Sequence, residues 1–201
     1  QKVAQLFIVT PEALVEGVSQ VTQAGDMTRD GVAAHPVGGI VYFAQNLLDP
    51  EQTTTMLANV KQFYADAGNV APFIAVDEEG GTVTRASKNP NLFSEPLPSP
   101  QELYAAGGLD GLLERTLSYN QKLRAFGVNV NFAPVCDVST NPDNFIYARS
   151  FGQDAQTTAD YISSVVPVYA QSGVACVLKH FPGYGNNADT HTGIALSLIH
   201  I

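Results

Sequence analysis

The alternation of short apolar runs with helical segments constrains the fold more than any other feature of this sequence. The runs are rich in β-branched residues and several are bounded by glycine, as expected of strands buried on both faces. They occupy residues 5–9, 38–43, 73–76, 128–137 and 173–178. Strands separated by helices at these intervals pair in parallel, because each helix returns the chain to the start of the next strand. The sequence therefore predicts an α/β protein.

The helix with the clearest sequence signals follows the second apolar run. Asp49 is a favourable N-cap, Pro50 suits the first helical position, and Gly68 lies just past the expected end. The other predicted helices are 11–23, which has the weakest pattern, 109–126 and 154–173. Pro167 lies within the last of these and should kink or shorten it.

Composition and charge exclude several classes of function. The chain has 201 residues, 45% of them hydrophobic, and a net charge of −9, so nucleic acids and anionic membranes are disfavoured as partners. No apolar run approaches the ~20 residues that cross a bilayer. Cys136 and Cys176 lie inside apolar runs and are interpreted as buried free thiols. Gln1 leads directly into an apolar run with no basic segment or cleavage site. We therefore expect the true start to be missing, which leaves a cytoplasmic location and a secreted or cell-surface location both open.

Polar residues stand where three of the predicted strands end. Asp77, Asp137 and the pair Lys179 and His180 each follow or close an apolar run. The carboxyl ends of parallel strands meet at one edge, where both (β/α)8 barrels and doubly wound sheets bind ligands. The pattern favours the barrel modestly. The Glu-Glu-Gly-Gly sequence after Asp77 lacks the spacing and the lysine of a phosphate-binding loop, which argues against nucleotides.

A loop rich in glycine and asparagine follows Lys179 and His180 and ends with Asp189 and His191. If the backbone is extended at this far end, residues two apart point to the same side. The Asp189 carboxylate can then reach the His191 ring and fix its tautomer. Such a histidine can give and take a proton near neutral pH.

Two kinds of chemistry fit these residues. Cations, carboxylates and imidazoles at one barrel mouth would bind the hydroxyls of a sugar. A metal site is the rival, since Asp77, His180, Asp189 and His191 could ligate zinc or manganese. Lys179 beside them argues against a metal, because an ammonium group repels a cation. We therefore predict no metal and no cofactor.

Four segments form recognisable motifs. They are 77–85 (Asp-Glu-Glu-Gly-Gly-Thr-Val-Thr-Arg), 131–137 (Asn-Phe-Ala-Pro-Val-Cys-Asp), 149–152 (Arg-Ser-Phe-Gly), and 179–185 (Lys-His-Phe-Pro-Gly-Tyr-Gly) with Asp-Thr-His at 189–191. In this order they resemble the signature of glycoside hydrolase family 3, specifically its bacterial β-N-acetylglucosaminidase branch. The resemblance implies the family's N-terminal (β/α)8 TIM-like barrel domain and a retaining, two-step mechanism. It also implies a carbohydrate substrate with a terminal β-linked GlcNAc, such as a peptidoglycan or chitin fragment.

The resemblance further implies a role for each polar residue. The residues that would bind the hydroxyls of the terminal sugar are Asp77, Arg85, Arg149, Lys179 and His180. His191 would be the general acid/base, oriented by Asp189, in place of the second carboxylate of most glycosidases. Asp137 is expected to support the site from behind by holding Arg149.

The sequence departs from the family pattern in three ways. Tyr184 stands where many relatives have a second histidine, and the span from Lys179 to His191 is one residue shorter than the commonest form. The family's nucleophile is an aspartate on a later strand, which we expect to lie outside this sequence. Since a barrel needs about 250 residues, residues 1–196 would form about five or six of its β/α units, inactive alone. Residues 197–201 do not resemble the family and are expected to be a non-native tail.

Three alternatives follow from the same residues. Family 3 β-glucosidases share the Lys-His pair but lack the Asp-Thr-His segment, which therefore favours GlcNAc over glucose. A non-catalytic sugar-binding module could use the same pocket without turnover, and phosphate could replace water as the acceptor. An isolated partial barrel would expose sheet edges and core, so we expect the 201-residue chain alone to be unstable or to aggregate.

Overall fold

The computed structural model describes residues 2–192 and contains a parallel five-stranded sheet in the order β1-β2-β3-β4-β5. The strands are β1 (Ile8–Val9), β2 (Gly39–Tyr42), β3 (Phe73–Val76), β4 (Val130–Asn131) and β5 (Ala175–Cys176). Every neighbouring pair is parallel. The prediction of an α/β protein with a parallel sheet is therefore confirmed. The suggested tail at 197–201 lies outside the described residues.

Four helices connect these strands within the described part of the chain: α1 (Asp26–Ala34), α2 (Pro50–Asp66), α3 (Pro100–Phe126) and α4 (Ala155–Ser172). The Asp49 side chain accepts a hydrogen bond from the backbone N–H of Gln52 at 2.9 Å, as its sequence position predicts. Gly127 and Gly173 end α3 and α4 in the left-handed conformation that glycine adopts without strain. Helix α4 continues through Pro167, so the prediction that this proline could shorten it is wrong.

The predicted helix at 11–23 is wrong, because only a single 3-10 turn forms there, at Pro11–Leu14. Tertiary hydrogen bonds replace helical ones in this segment. The Glu12 carboxylate accepts from the backbone N–H of Val21 at 3.0 Å, and the Val21 carbonyl accepts from the Asn46 amide at 2.8 Å. Gly17, with φ +74°, also departs from helical backbone. The first regular helix begins instead at Asp26.

The core lies between the central strands and their helices. Ile40 of β2, Ile74 of β3, Leu57 of α2 and Leu123 of α3 are completely buried in one apolar cluster. Full burial of each such side chain contributes roughly 1.5–3 kcal/mol to folding. This cluster holds β2 and β3 rigidly, and β3 leads directly into Asp77.

Both outer strands leave apolar side chains in solvent. Leu6 beside β1 is 82% exposed and Phe181 beyond β5 is 95% exposed. Each outer strand pairs with a single neighbour in the described sheet. The structure thus has the open sheet edges expected from the sequence. Within residues 2–192, no helix combines the length and hydropathy that crossing a bilayer requires.

Candidate active site

The loops after β3, β4 and β5 meet at one edge of the sheet. Asp77 follows β3 directly, and an isolated parallel bridge pairs Val135, beyond β4, with Lys179, beyond β5. The Lys179 carbonyl accepts from the backbone N–H of Cys136 at 2.6 Å, and its own N–H donates to Pro134 at 3.3 Å. The ladder between the two strands therefore extends past their ends and fixes the backbone of Lys179.

Lys179 and Arg149 share one buried carboxylate, that of Glu79. The Lys179 Nζ lies 2.5 Å from Glu79 Oε1 and 2.8 Å from Asp77 Oδ1. Arg149 binds the same carboxylate with two parallel hydrogen bonds, Nε to Oε2 at 2.9 Å and Nη2 to Oε1 at 2.8 Å. The Glu79 side chain is 1% exposed, while both cations keep some access to solvent. Hydrogen bonding to Glu79 is the main cause that raises the pKa of Arg149.

His180 is held from both sides of its ring. Its Nδ1 lies 2.6 Å from Asp137 Oδ2, and its Nε2 lies 3.1 Å from Arg149 Nη2. A guanidinium group can only donate, so Nε2 must accept and Nδ1 must carry the proton that it donates to Asp137. The network therefore assigns His180 a single neutral tautomer.

The Asp137 carboxylate also anchors the loop backbone. Oδ2 accepts from the backbone N–H of His180 at 3.1 Å, and Oδ1 accepts from that of Tyr184 at 2.7 Å. Burial raises the pKa of Asp137, but the hydrogen bonds from the His180 ring and these backbone groups outweigh burial and lower it overall.

The prediction that Asp137 holds Arg149 is wrong. Asp137 binds the imidazole and the backbone N–H groups of His180 and Tyr184, and Arg149 is held by Glu79. The two oxygens of Glu79 fill the guanidinium fork of Arg149, while both oxygens of Asp137 accept from N–H groups of His180 and Tyr184. Asp137 still supports the site from behind, but it does so through His180.

Glu79 is the site residue that sequence reasoning missed, although a signal for it was present. Residues two apart on an extended chain point to the same side, so Glu79 shares the direction of Asp77. Glu78 points the other way and holds the loop that carries Arg85. Its carboxylate accepts from the backbone N–H groups of Arg85, Ala86 and Ser87. Burial is the main cause that raises the pKa of Glu78.

Arg85 lies on this loop but apart from the ion-pair network. Its guanidinium carbon sits 5.1 Å from the centre of the Phe43 ring, which follows β2. Its Nε is buried and has no hydrogen-bond partner within residues 2–192. The structure therefore places a buried hydrogen-bond donor there that finds no acceptor in the described part of the chain.

Asp189 and His191 form the contact that their spacing predicts. His191 Nδ1 lies 2.7 Å from Asp189 Oδ1, which also accepts from the backbone N–H of His191 at 3.0 Å. The backbone here is a turn closed by Thr192 on the Asp189 carbonyl, so the expected extended segment is wrong. Hydrogen bonds from the His191 backbone and ring lower the pKa of Asp189, with a smaller contribution from the charge of Arg149. The His191 side chain is 79% exposed.

The described residues contain no group of three or more His, Cys, Asp or Glu side chains arranged to hold a metal ion. The Asp77 carboxylate instead accepts a hydrogen bond from Lys179. The His180 ring is held between Asp137 and Arg149.

A parallel α/β sheet that gathers carboxylates, cations and imidazoles beyond the carboxyl ends of its strands has the architecture of an α/β enzyme domain. This chain belongs to glycosyl hydrolase family 3, since residues 1–199 match the family model described as the "Glycosyl hydrolase family 3 N terminal domain". The resemblance identified from the four sequence motifs is thereby confirmed.

Several known proteins are similar to this chain. The beta-hexosaminidase LpqI of Mycobacterium tuberculosis is 30% identical over 194 residues, which cover 96% of this chain and 45% of that protein. A beta-hexosaminidase of Xanthomonas campestris is 31% identical, over 85% of this chain and 51% of its own length. The solved family 3 β-N-acetylglucosaminidase of Paenibacillus sp. FPU-7 superimposes with a TM-score of 0.82 at 35% identity, covering 94% of this chain and 34% of that one. This chain thus spans about half or less of the length of these relatives.

Proposed function

We propose that this chain is part of a retaining exo-β-N-acetylglucosaminidase that removes terminal β-linked GlcNAc, for example from peptidoglycan or chitin fragments. The observation that carries the proposal is one connected cluster at the strand ends of a family 3 domain: Asp77, Lys179, Glu79, Arg149 and His180. The charge of Arg149 also acts on Asp189 of the Asp189–His191 pair. Relatives named beta-hexosaminidase support the same choice.

The sugar would bind against the open side of the cluster. Lys179 and Arg149 offer donors and Asp77 offers an acceptor, while His180, held between Asp137 and Arg149, would line the site beside them. Each of these side chains keeps some exposure. The Arg85 guanidinium, which lies over the Phe43 ring, would contribute a further donor from the loop after β3. Glu79 and Asp137 hold these groups in fixed directions from below, so that little conformational freedom is lost when a sugar binds.

The Asp189–His191 pair would move the proton. His191 protonates the glycosidic oxygen as the bond breaks and then takes a proton from the incoming water, and Asp189 fixes the ring through Nδ1 so that Nε2 faces the substrate. The attacking carboxylate in this proposal is an aspartate on a further strand. Residues 1–196 would then supply about five or six β/α units of a (β/α)8 barrel, and strands added at the open edges would cover residues such as Phe181.

The test uses the intact protein with two aryl β-GlcNAc substrates, one with a poor leaving group and one with an activated leaving group. His191→Ala should reduce kcat/KM about 100-fold or more on the first substrate, because general acid catalysis contributes about 10²–10⁴-fold. The activated substrate needs little protonation, so its hydrolysis should fall far less. His35→Ala, at the exposed end of α1, is the matched histidine control.

Equal losses on both substrates would contradict the role of His191. Tight GlcNAc binding by calorimetry with no product would instead assign a sugar-binding module. Preference for an aryl β-glucoside would assign a glucosidase, and a sugar phosphate product in phosphate buffer would assign a phosphorylase.

A further inference from the structure

Tyr184 is a buried residue that the proposed mechanism does not use. It lies midway along the loop and packs in a small apolar cluster with Val135 and Ile146. Its ring meets the His180 ring edge-on, with centroids 4.9 Å apart, and lies 5.3 Å from that of Phe145. The side chain is therefore held in place by the same part of the structure that holds His180.

The backbone of Tyr184 is held by hydrogen bonds on both its N–H and its carbonyl group. Its N–H donates to Asp137 Oδ1 at 2.7 Å, so a single carboxylate fixes both His180 and Tyr184. Its carbonyl accepts from the backbone and the side-chain amide of Asn187, at 3.0 and 2.8 Å. These hydrogen bonds close a turn at residues 184–187.

The hydroxyl of Tyr184 reaches the other end of the loop. It lies 3.1 Å from Thr190 Oγ1, and Thr190 stands between Asp189 and His191. The His191 side chain is largely exposed, so packing contributes little to its position. The hydrogen bond between the buried Tyr184 side chain and Thr190 therefore restricts the position of the Asp189–His191 pair, which packing alone does not fix.

We propose that Tyr184 is a positioning residue that holds the Asp189–His191 pair over the sugar-binding cluster through its hydrogen bond to Thr190. This inference rests on the proposed function for its catalytic consequence, but the constraint on the loop exists without turnover. Without the hydroxyl, the loop samples more conformations, and the fraction in which His191 faces the glycosidic oxygen falls.

Tyr184→Phe removes the hydroxyl and keeps the buried ring, and Thr190→Val removes its partner at nearly constant volume. In the intact protein, each should lower kcat about fivefold on the poor-leaving-group substrate, the effect of one lost neutral hydrogen bond. In Thr190→Val, KM and the hydrolysis of the activated substrate should change by less than about twofold, because the Thr190 side chain bonds to Tyr184 and, in the described part of the chain, not to the sugar-binding cluster. Thr190→Val removes only this hydrogen bond, whereas Tyr184→Phe also removes the contact of the hydroxyl with Arg149. The double variant should therefore lose no more than Tyr184→Phe alone. Tyr104→Phe, on helix α3, is the matched control.

Amide exchange of peptides covering residues 186–192 separates this inference from the proposed function. Exchange should be faster in Tyr184→Phe and Thr190→Val than in the wild type, and unchanged in Tyr104→Phe. A wild type that hydrolyses no β-GlcNAc substrate would overturn the proposed function, and exchange would still decide whether Tyr184 constrains the loop.

Three results would overturn the positioning role: unchanged exchange, multiplicative losses in the double variant, or equal losses on both substrates accompanied by a lower Tm. The last result would make Tyr184 merely a structural residue.

Discussion

Replacement of Glu79 by Gln tests whether one buried carboxylate organises the candidate site. The wild-type carboxylate receives two hydrogen bonds from Arg149 and an ion pair from Lys179, and it is 1% exposed. Gln keeps the shape and one acceptor oxygen. It removes the negative charge and turns an amide N–H₂ towards one of the two cations, which can only donate.

The expected loss of stability in Glu79→Gln depends on the contacts that Lys179 and Arg149 keep after the substitution. Breaking a buried ion pair costs about 3–5 kcal/mol when one partner is removed. Lys179 keeps Asp77 at 2.8 Å, Arg149 keeps its contact with His180, and both cations are partly exposed, so the lower end of that range applies. We expect the free energy of unfolding to fall by about 3 kcal/mol.

Urea unfolding of the intact protein, followed by circular dichroism, measures this difference. With m of about 1–3 kcal/mol/M, the midpoint should drop by roughly 1–3 M at unchanged m. Glu95→Gln is the matched control, because Glu95 pairs with Arg115 at 2.7 Å on the surface, where such a pair contributes about 0.5 kcal/mol. Similar midpoint shifts in the two variants would refute the view that Glu79 is the buried organiser of the two cations.

Two further predictions concern pH and association. The folded protein lowers the pKa of Asp137, so its ionised form adds stability that is present above its unfolded pKa of about 3.9 and is lost as pH falls through the folded value. The difference in the free energy of unfolding between wild type and Asp137→Asn should therefore be widest near pH 7 and should narrow below about pH 4. Glu78, whose pKa is raised, has the opposite pH dependence, but its contribution is the same in both proteins and cancels in the difference. A difference that does not narrow would contradict this prediction. The 201-residue chain expressed alone should self-associate in sedimentation velocity through its open sheet edges, and Phe181→Ser should reduce the association. A cooperative melt of a soluble monomer would argue against that expectation.

Local sequence patterns were enough to predict the strands and the best-capped helix. A β-branched apolar run or an Asp-Pro cap acts over a few residues, so its structural consequence can be read without knowledge of the fold. Helix α1 was missed because the segment before it makes its hydrogen bonds to Asn46, a distant residue that no local pattern reveals. The motifs likewise led to the family and to the polar residues at the strand ends.

The partners of those polar residues depended on tertiary structure. Arg149 and Glu79 are 70 residues apart, and Lys179 and Asp77 are 102 apart, so their pairing depends on how the strands align in the sheet. The contact between Asp189 and His191 could be predicted from local spacing, because the two residues are neighbours within one turn, although the backbone there is not extended as expected. The types of residue in the site, and the family, were thus already set by the amino-acid sequence. Which carboxylate holds which cation was decided only when parallel strands brought three loops to one edge, because charges distant in sequence interact only after folding places them within a few ångströms.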